Sequence, residues 1–399
     1  MGKALVISVG TGTRPGDEAI NSLAGAIAFS IKNNHPDKVF FVASKDSVEK
    51  TLPRILQRVA LPDYEIIDVE DPDNIRKIYE DLRRKFVEIR SRYPSVVVDY
   101  TSGTKAMTGA LVILGSLFEV DTLSYVSGKR TDGVVIKGAE ELQSVRPYFV
   151  ICDKKIMEAK RFFNECRFDT ASAIIEEVER IVADKEVHSR IAPIKNAASA
   201  YSAWDKFKHA EAFKHLEALE GREFDGNKSF LGRLLHSDEK EPYLIADLIN
   251  NAKRRGDIEK KYDDAVGRLY RVVELVAQYR LRKNYGINSS DIDLEKIPPT
   301  LKERWKIPAQ GEKIKLGLER DYELLAAKGD EIGEMFLRDE KLRDLLSKRN
   351  FSILAHGSTP VNREVYERLL EKAISYGSAV VESLQSLLRD SEFAKFTAN

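Results

Sequence analysis

Ser95-Val96-Val97-Val98-Asp99-Tyr100-Thr101-Ser102-Gly103-Thr104-Lys105-Ala106-Met107 decides the fold of the first part of this chain. Its opening run is apolar and β-branched, the pattern of a strand covered on both faces. Helical spacing takes over at Thr104 and lasts to Phe118. Ser102 or Thr104 can cap that helix, and Gly103 allows a close backbone approach. Lys105 falls in the first turn, where a cation opposes the helix dipole unless an anion neutralises it. A hydroxyl-rich loop with one lysine reads as a cradle for phosphate or nucleotide. The competing reading is an ordinary capped helix with an exposed lysine.

Working outward, the same alternation recurs through the first 150 residues. Lys3–Val9, Lys38–Ala43, Tyr64–Val69 and Asp121–Ser127 read as further strands. Glu18–Lys32, Ser47–Val59 and Pro72–Arg92 read as the helices between them. This alternation predicts a mostly parallel sheet with helices on both faces. Val134–Ile136 and Val145–Val150 are expected to add a hairpin or edge extension. The first strand enters Gly10-Thr11-Gly12-Thr13-Arg14-Pro15-Gly16, where free N–H groups and a helix dipole favour an anion. The last glycine comes one residue too late for the dinucleotide fingerprint, and no Walker lysine follows. Strand two ends in Ala43-Ser44-Lys45, without the acid that would hold a ribose, which disfavours a nicotinamide-dependent oxidoreductase.

Beyond about Asp153 the strand pattern fades. Ala159–Arg180, Ile191–Lys208 and Ala210–Leu219 read as helices, and Gly221–Lys240 as a polar loop. Tyr262, Val266, Leu269, Val273 and Val276 repeat at spacings of four and three, one buried stripe on a long helix that Gly286 ends. Pro298 and Pro299 mark a loop, with helices at Lys341–His356 and Val361–Leu388. The chain of 399 residues carries 64 basic and 64 acidic side chains, so a general positive field for coating nucleic acid is excluded. The two cysteines, Cys152 and Cys166, build neither a disulfide framework nor a zinc site. No signal peptide, myristoylation signal or membrane span is read, so a cytoplasmic protein is expected.

Ser8-Val9-Gly10-Thr11-Gly12 together with Asp99-Tyr100-Thr101-Ser102-Gly103-Thr104-Lys105-Ala106-Met107 resembles the CARF domain, the Rossmann-fold sensor of type III CRISPR effectors. The resemblance covers roughly the first 150 residues. It implies a dimer that binds cyclic oligoadenylate across its two-fold axis, with the tetra-adenylate ring favoured over the hexa-adenylate. The contacts it implies are Gly10, Thr11, Gly12, Thr13, Ser102, Gly103, Thr104 and Lys105.

Near the end of the chain stands Arg349-Asn350-Phe351-Ser352-Ile353-Leu354-Ala355-His356-Gly357. On a continuous helix Arg349 and His356 would share one face, roughly two turns apart. Such a pair suits RNA cleavage: the imidazole moves a proton, and the guanidinium stabilises charge on the phosphate. A helix-terminal histidine stabilised by the dipole is the bland alternative. Arg-Asn with a histidine six residues beyond Asn350, in a helical block, resembles the HEPN ribonucleases. That resemblance implies Arg349, Asn350 and His356 as catalytic residues and a cleft completed by dimerisation. Trp204 and Trp305 are read as core, not as platforms for stacking bases.

The combined expectation is an α/β sensor over 1–150, a helical connector over 151–256 and an all-α HEPN domain over 257–399. Its function would be that of a homodimeric prokaryotic endoribonuclease, activated by cyclic oligoadenylate and cutting single-stranded RNA without metal or cofactor. Stable DNA binding is not expected. Two other readings stay open: a sensor domain that degrades its own activator, and a sensor with no enzymatic activity.

Overall fold

The computed structural model describes residues 2–397 except 13–15, 62, 132–133, 136–137, 183–184, 308–312 and 351–356, with the backbone alone at 130, 131, 134, 135 and 350. It divides into two compact units, Met1–Lys155 and Ile156–Asn399. In the first, a six-stranded sheet is built from β1 (Lys3–Val9), β2 (Lys38–Ala43), β3 (Tyr64–Asp68), β4 (Ser95–Asp99), β5 (Thr122–Ser127) and β8 (Glu141–Val145). The strand order is β3-β2-β1-β4-β5-β8, parallel throughout except for β8, which runs antiparallel to β5. A small ribbon of β6 (Arg130–Thr131) and β7 (Val134–Val135) stands beside it in sequence.

Burial on both faces explains the apolar strands. Leu5, Ile7, Phe41 and Val97 pack against α1 (Asp17–Asn34) and α3 (Leu52–Leu56), which follows the short α2 (Lys45–Lys50). Val6, Phe40, Val96 and Val98 pack against α4 (Ile75–Arg92) and α5 (Lys105–Leu117) on the opposite face. The chain leaves β1 toward β2 and returns from β3 to β4 on the other side. The gap beyond the carboxyl ends of β1 and β4 is therefore the topological switch point, where open α/β sheets hold ligands.

The second unit is helical: α6 (Tyr148–Asn164) leads into it from the first, followed by α7 (Phe168–Ile181), α8 (Lys185–Asp205), α9 (His209–Glu217), α10 (Asp225–His236) and α11 (Glu241–Lys253). Then come α12 (Tyr262–Tyr285), α13 (Pro299–Arg304), α14 (Leu318–Ala327), α15 (Glu331–Arg338), α16 (Glu340–Asn350), α17 (Arg363–Val380) and α18 (Leu384–Asp390). Val266, Leu269, Val273 and Val276 of α12 are fully buried, and Gly286 closes that helix in the left-handed region at φ 59°. Apolar packing is continuous from Phe163 to Phe393. Trp204 lies in it, its indole N–H donating to Asp247 at 3.0 Å.

Several expectations need correction. Val145–Val150 is not a strand: β8 ends at Val145, and Pro147, which has no N–H for a ladder, instead receives Val150 N–H in the first turn of α6. Gly221–Lys240 is not a loop, because Phe224, Phe230, Leu231 and Leu234 give α10 and its entry a buried face. The single helix expected over Ala159–Arg180 breaks at Cys166, which takes φ 59° between α6 and α7. Pro299 begins α13, using the one helical position where a missing N–H costs nothing.

Candidate functional site

At the switch point lies a cavity of about 920 Å³. Gly10, Thr11, Gly12, Ser102, Gly103, Thr104 and Lys105 all line it; Thr13 lies outside the described residues. The two loops are locked to each other. Ser8 Oγ donates to the Ser102 carbonyl, and the Gly10 N–H donates to Ser102 Oγ at 2.7 Å. A Cβ on Gly10 would stand 2.9 Å from the Gly103 nitrogen, so this glycine serves loop-to-loop contact. Gly103 itself has φ 111°, a conformation that side-chain-bearing residues rarely adopt.

The hydroxyls divide by role. Thr104 is the cap of α5, accepting from Met107 N–H at 3.2 Å and donating to the Pro72 carbonyl. Thr101 Oγ1 accepts from Val126 N–H at 2.9 Å. Beneath the loop, the fully buried Asp99 accepts from Ser30 Oγ at 2.5 Å, Ser124 Oγ at 2.8 Å and Thr101 N–H at 2.9 Å. Burial raises its pKa more than these bonds lower it. The network ties the end of β4 to α1 and β5, giving the loop a rigid floor. Ser102 and Thr104 are thus engaged within the protein, while Lys105 is exposed at the rim.

The sequence reading missed a second rim. Ser44, Lys45 and Ser47 after β2, and Asp68 and Glu70 around the end of β3, also line the cavity. Lys45 repeats the arrangement of Lys105, a lysine at the first helical position behind a hydroxyl residue. That repetition was visible in the sequence. Asp46 is engaged by Lys50 at 2.8 Å and Glu70 by Lys77, leaving cations and anions interleaved around the opening.

In the second unit, Arg349 and Asn350 are the last two described residues of α16. The guanidinium carbon of Arg349 stands 4.7 Å from the ring centroid of Tyr270 on α12. His356, and with it the expected shared face with Arg349, lies outside the described residues. Trp305 is only partly buried; its ring carries Arg320 at 5.4 Å and its N–H donates to Glu323.

A family model described as the Csm6 6H domain matches residues 152–245, and one described as the Csm6 HEPN domain matches residues 235–379. Together they span more than half of the chain and take in both Arg349 and His356. The chain belongs to the Csm6 family. The α/β sheet is followed along the chain by the helical region, and both the 6H and the HEPN matches fall in that helical region. A Csm6 from Enterococcus italicus, solved bound to cyclic hexa-2′-fluoro-hexa-dAMP, matches with TM-score 0.59 and 14% identity over 98% of each chain, a likeness of fold. Can2 from Sulfobacillus thermosulfidooxidans, solved with cyclic tetra-adenylate, matches at TM-score 0.25 and 12% identity, covering 52% of this Csm6 chain and 66% of its own. No curated protein matches the sequence. Among the described residues no helix is long and apolar enough to cross a membrane.

Proposed function

We propose that this Csm6 protein is a homodimeric endoribonuclease of type III CRISPR defence, switched on by cyclic oligoadenylate and cutting single-stranded RNA without a metal ion. The observation that carries the reading is the HEPN match over 235–379, which contains the Arg349-Asn350…His356 motif. The switch-point cavity supplies the regulatory half: its two lysines meet ring phosphates, and Thr11 and Gly12 approach the backbone. Carboxylates such as Asp68 offer acceptors for adenine amino groups. In this reading the sensor occupies 1–150, a connector 151–256 and the nuclease 257–399.

Dimerisation is supported by the outer face of α5, the helix that starts at the cavity. Ile113 and Leu117 are 49% and 47% exposed there, and Ile75 of α4, whose Cδ1 would meet a Cβ on Gly109 at 3.3 Å, is 45% exposed. Apolar groups clustered in this way favour burial against a second copy. Two Arg349/His356 pairs then face one RNA strand. His356 takes the 2′-hydroxyl proton or returns one to the leaving oxygen, and Arg349 stabilises the charge that develops on phosphorus-bound oxygen. Attack by the 2′-oxygen leaves a 2′,3′-cyclic phosphate. Activation requires that the ring bind the competent arrangement more tightly than the resting one.

The test is cleavage of a fluorescent single-stranded RNA in EDTA, with cyclic tetra-adenylate, cyclic hexa-adenylate or neither, beside His356→Ala. Cleavage that needs one ring and His356 is the expected result and identifies the activator. RNA left intact with both rings would overturn the reading.

A further inference from the structure

Residues 391–396, which follow α18, form neither helix nor strand, yet Phe393 is buried and Phe396 half-buried. Such a segment can leave water only if side chains meet its backbone N–H and C=O groups. Asn227 Nδ2 donates to the carbonyls of Asp390 and Glu392, each at 2.8 Å. The Ala394 N–H donates to Tyr201 Oη at 3.2 Å. Asn164 accepts from the Phe396 N–H at 2.9 Å and donates to the Phe396 carbonyl at 2.8 Å. The backbone is thus held at every second residue, while the side chains of Glu392 and Lys395 stay exposed. The Phe393 ring stacks on Tyr201 with 4.4 Å between centroids, and that of Phe396 meets Phe163 at 4.7 Å. Main-chain bonds at a regular spacing with aromatic anchors are how a groove binds an extended peptide.

The groove belongs to both matched regions. Asn164, Tyr201 and Asn227 fall in the 6H match, whereas Arg254, whose guanidinium carbon lies 3.7 Å from the Phe393 ring centroid, falls in the HEPN match. Asp205 holds the Arg254 Nε at 3.0 Å, so Phe393 seats on a fixed cation. The segment itself lies beyond both matches, which end at residue 379. We propose that residues 391–396 are a strap, a peptide ligand that the chain supplies to its own 6H helices. Seating it ties 6H to HEPN, so that ring binding in the α/β unit is felt at the RNA-cleaving site. This rests on the proposed reading of a ring-activated nuclease.

The experiment uses the full chain with Asn164→Ala and Phe396→Ala, two partly exposed positions, so that a folding failure in one leaves the other. Phe396→Leu is the conservative control. Hydrogen exchange read by mass spectrometry reports the strap, calorimetry reports ring binding, and RNA cleavage is measured with and without a saturating ring. Both alanine variants should speed amide exchange across 391–396. They should bind the ring no more weakly than wild type, because the cavity proposed for it lies in the other unit. Their ratio of ring-stimulated to ring-free cleavage should fall by roughly 5- to 100-fold, the range of a coupling between sites. Phe396→Leu should keep that ratio within about 3-fold of wild type. A merely structural role would lower both rates alike; an unchanged ratio with the strap released would therefore overturn the inference. So would wild-type exchange across 391–396 in both alanine variants. Wild type leaving RNA intact with either ring would instead strike the nuclease reading, and the coupling with it.

Discussion

Asp321 should make the stability of the helical unit fall as pH rises toward neutrality. It is fully buried on α14, and neither carboxyl oxygen has a hydrogen-bond partner among the described residues. Ser289 and Gln278 face it and oppose the effect of burial without reaching hydrogen-bonding geometry. Burial dominates, Glu274 adds to it, and the pKa is pushed from 3.8 up to about 7. The folded protein therefore keeps a proton between about pH 4 and 7 that the unfolded chain has lost. Because the native state binds more protons in that window, stability declines across it and levels off above pH 7. A difference of about 3 pH units, at 1.36 kcal/mol each, makes the loss about 4 kcal/mol. Asp321→Asn keeps the shape of the protonated acid and cannot ionise, so it should not show the decline. Urea unfolding followed by tryptophan fluorescence is the suitable assay, because both tryptophans, Trp204 and Trp305, lie in the second unit and report it alone. The gap between variant and wild type should widen by about 4 kcal/mol from pH 4 to pH 8. A gap constant to within about 1 kcal/mol would refute the reasoning, since Asp321 would then have found a partner or water in solution.

Three further outcomes are expected. Gly10→Ala drives a Cβ to 2.9 Å from the Gly103 nitrogen, so it should destabilise the α/β unit by roughly 1–3 kcal/mol and weaken binding of the activating ring, seen by thermal melting and calorimetric titration. Lys45→Ala and Lys105→Ala should each weaken activator binding by roughly 10- to 100-fold, with a shallower salt dependence; a wild-type affinity for Lys45→Ala would remove that lysine from the site. Gly256→Ala drives a Cβ into the buried Tyr366 ring, so it should cost the helical unit upwards of about 2 kcal/mol in urea unfolding, and a double change with Tyr366→Ala should cost less than the sum.

Local pattern carried most of the α/β unit. A strand buried on both faces writes itself as Val96-Val97-Val98, and a helix start as Thr104 before Lys105; both are short-range statements. Order in the chain then sufficed to bring the Gly10 and Gly103 loops to one place, because parallel β-α-β connections have one hand. The α12 stripe and its Gly286 stop were legible for the same reason. The helical unit was read less well. In α10, Gly226 and Gly232 weaken the helical signal, and only burial of Phe230 and Leu231 among residues far along the chain stabilises it.

What the tertiary structure alone decided is how each site residue is employed. Ser102, Gly103 and Thr104 look in sequence like three equivalent ligand groups; in the fold Ser102 clasps Gly10, Thr104 caps α5, and Lys105 is left exposed at the rim of the cavity that Lys45 also lines. Likewise nothing local to Arg349 names Tyr270, which lies on a different helix. Backbone conformation and amphipathic faces depend on neighbours within a few residues, so the sequence by itself determines them. The partner of a hydroxyl, a guanidinium or the Asp321 carboxyl is set by which distant surfaces close together, and that only the packed chain decides.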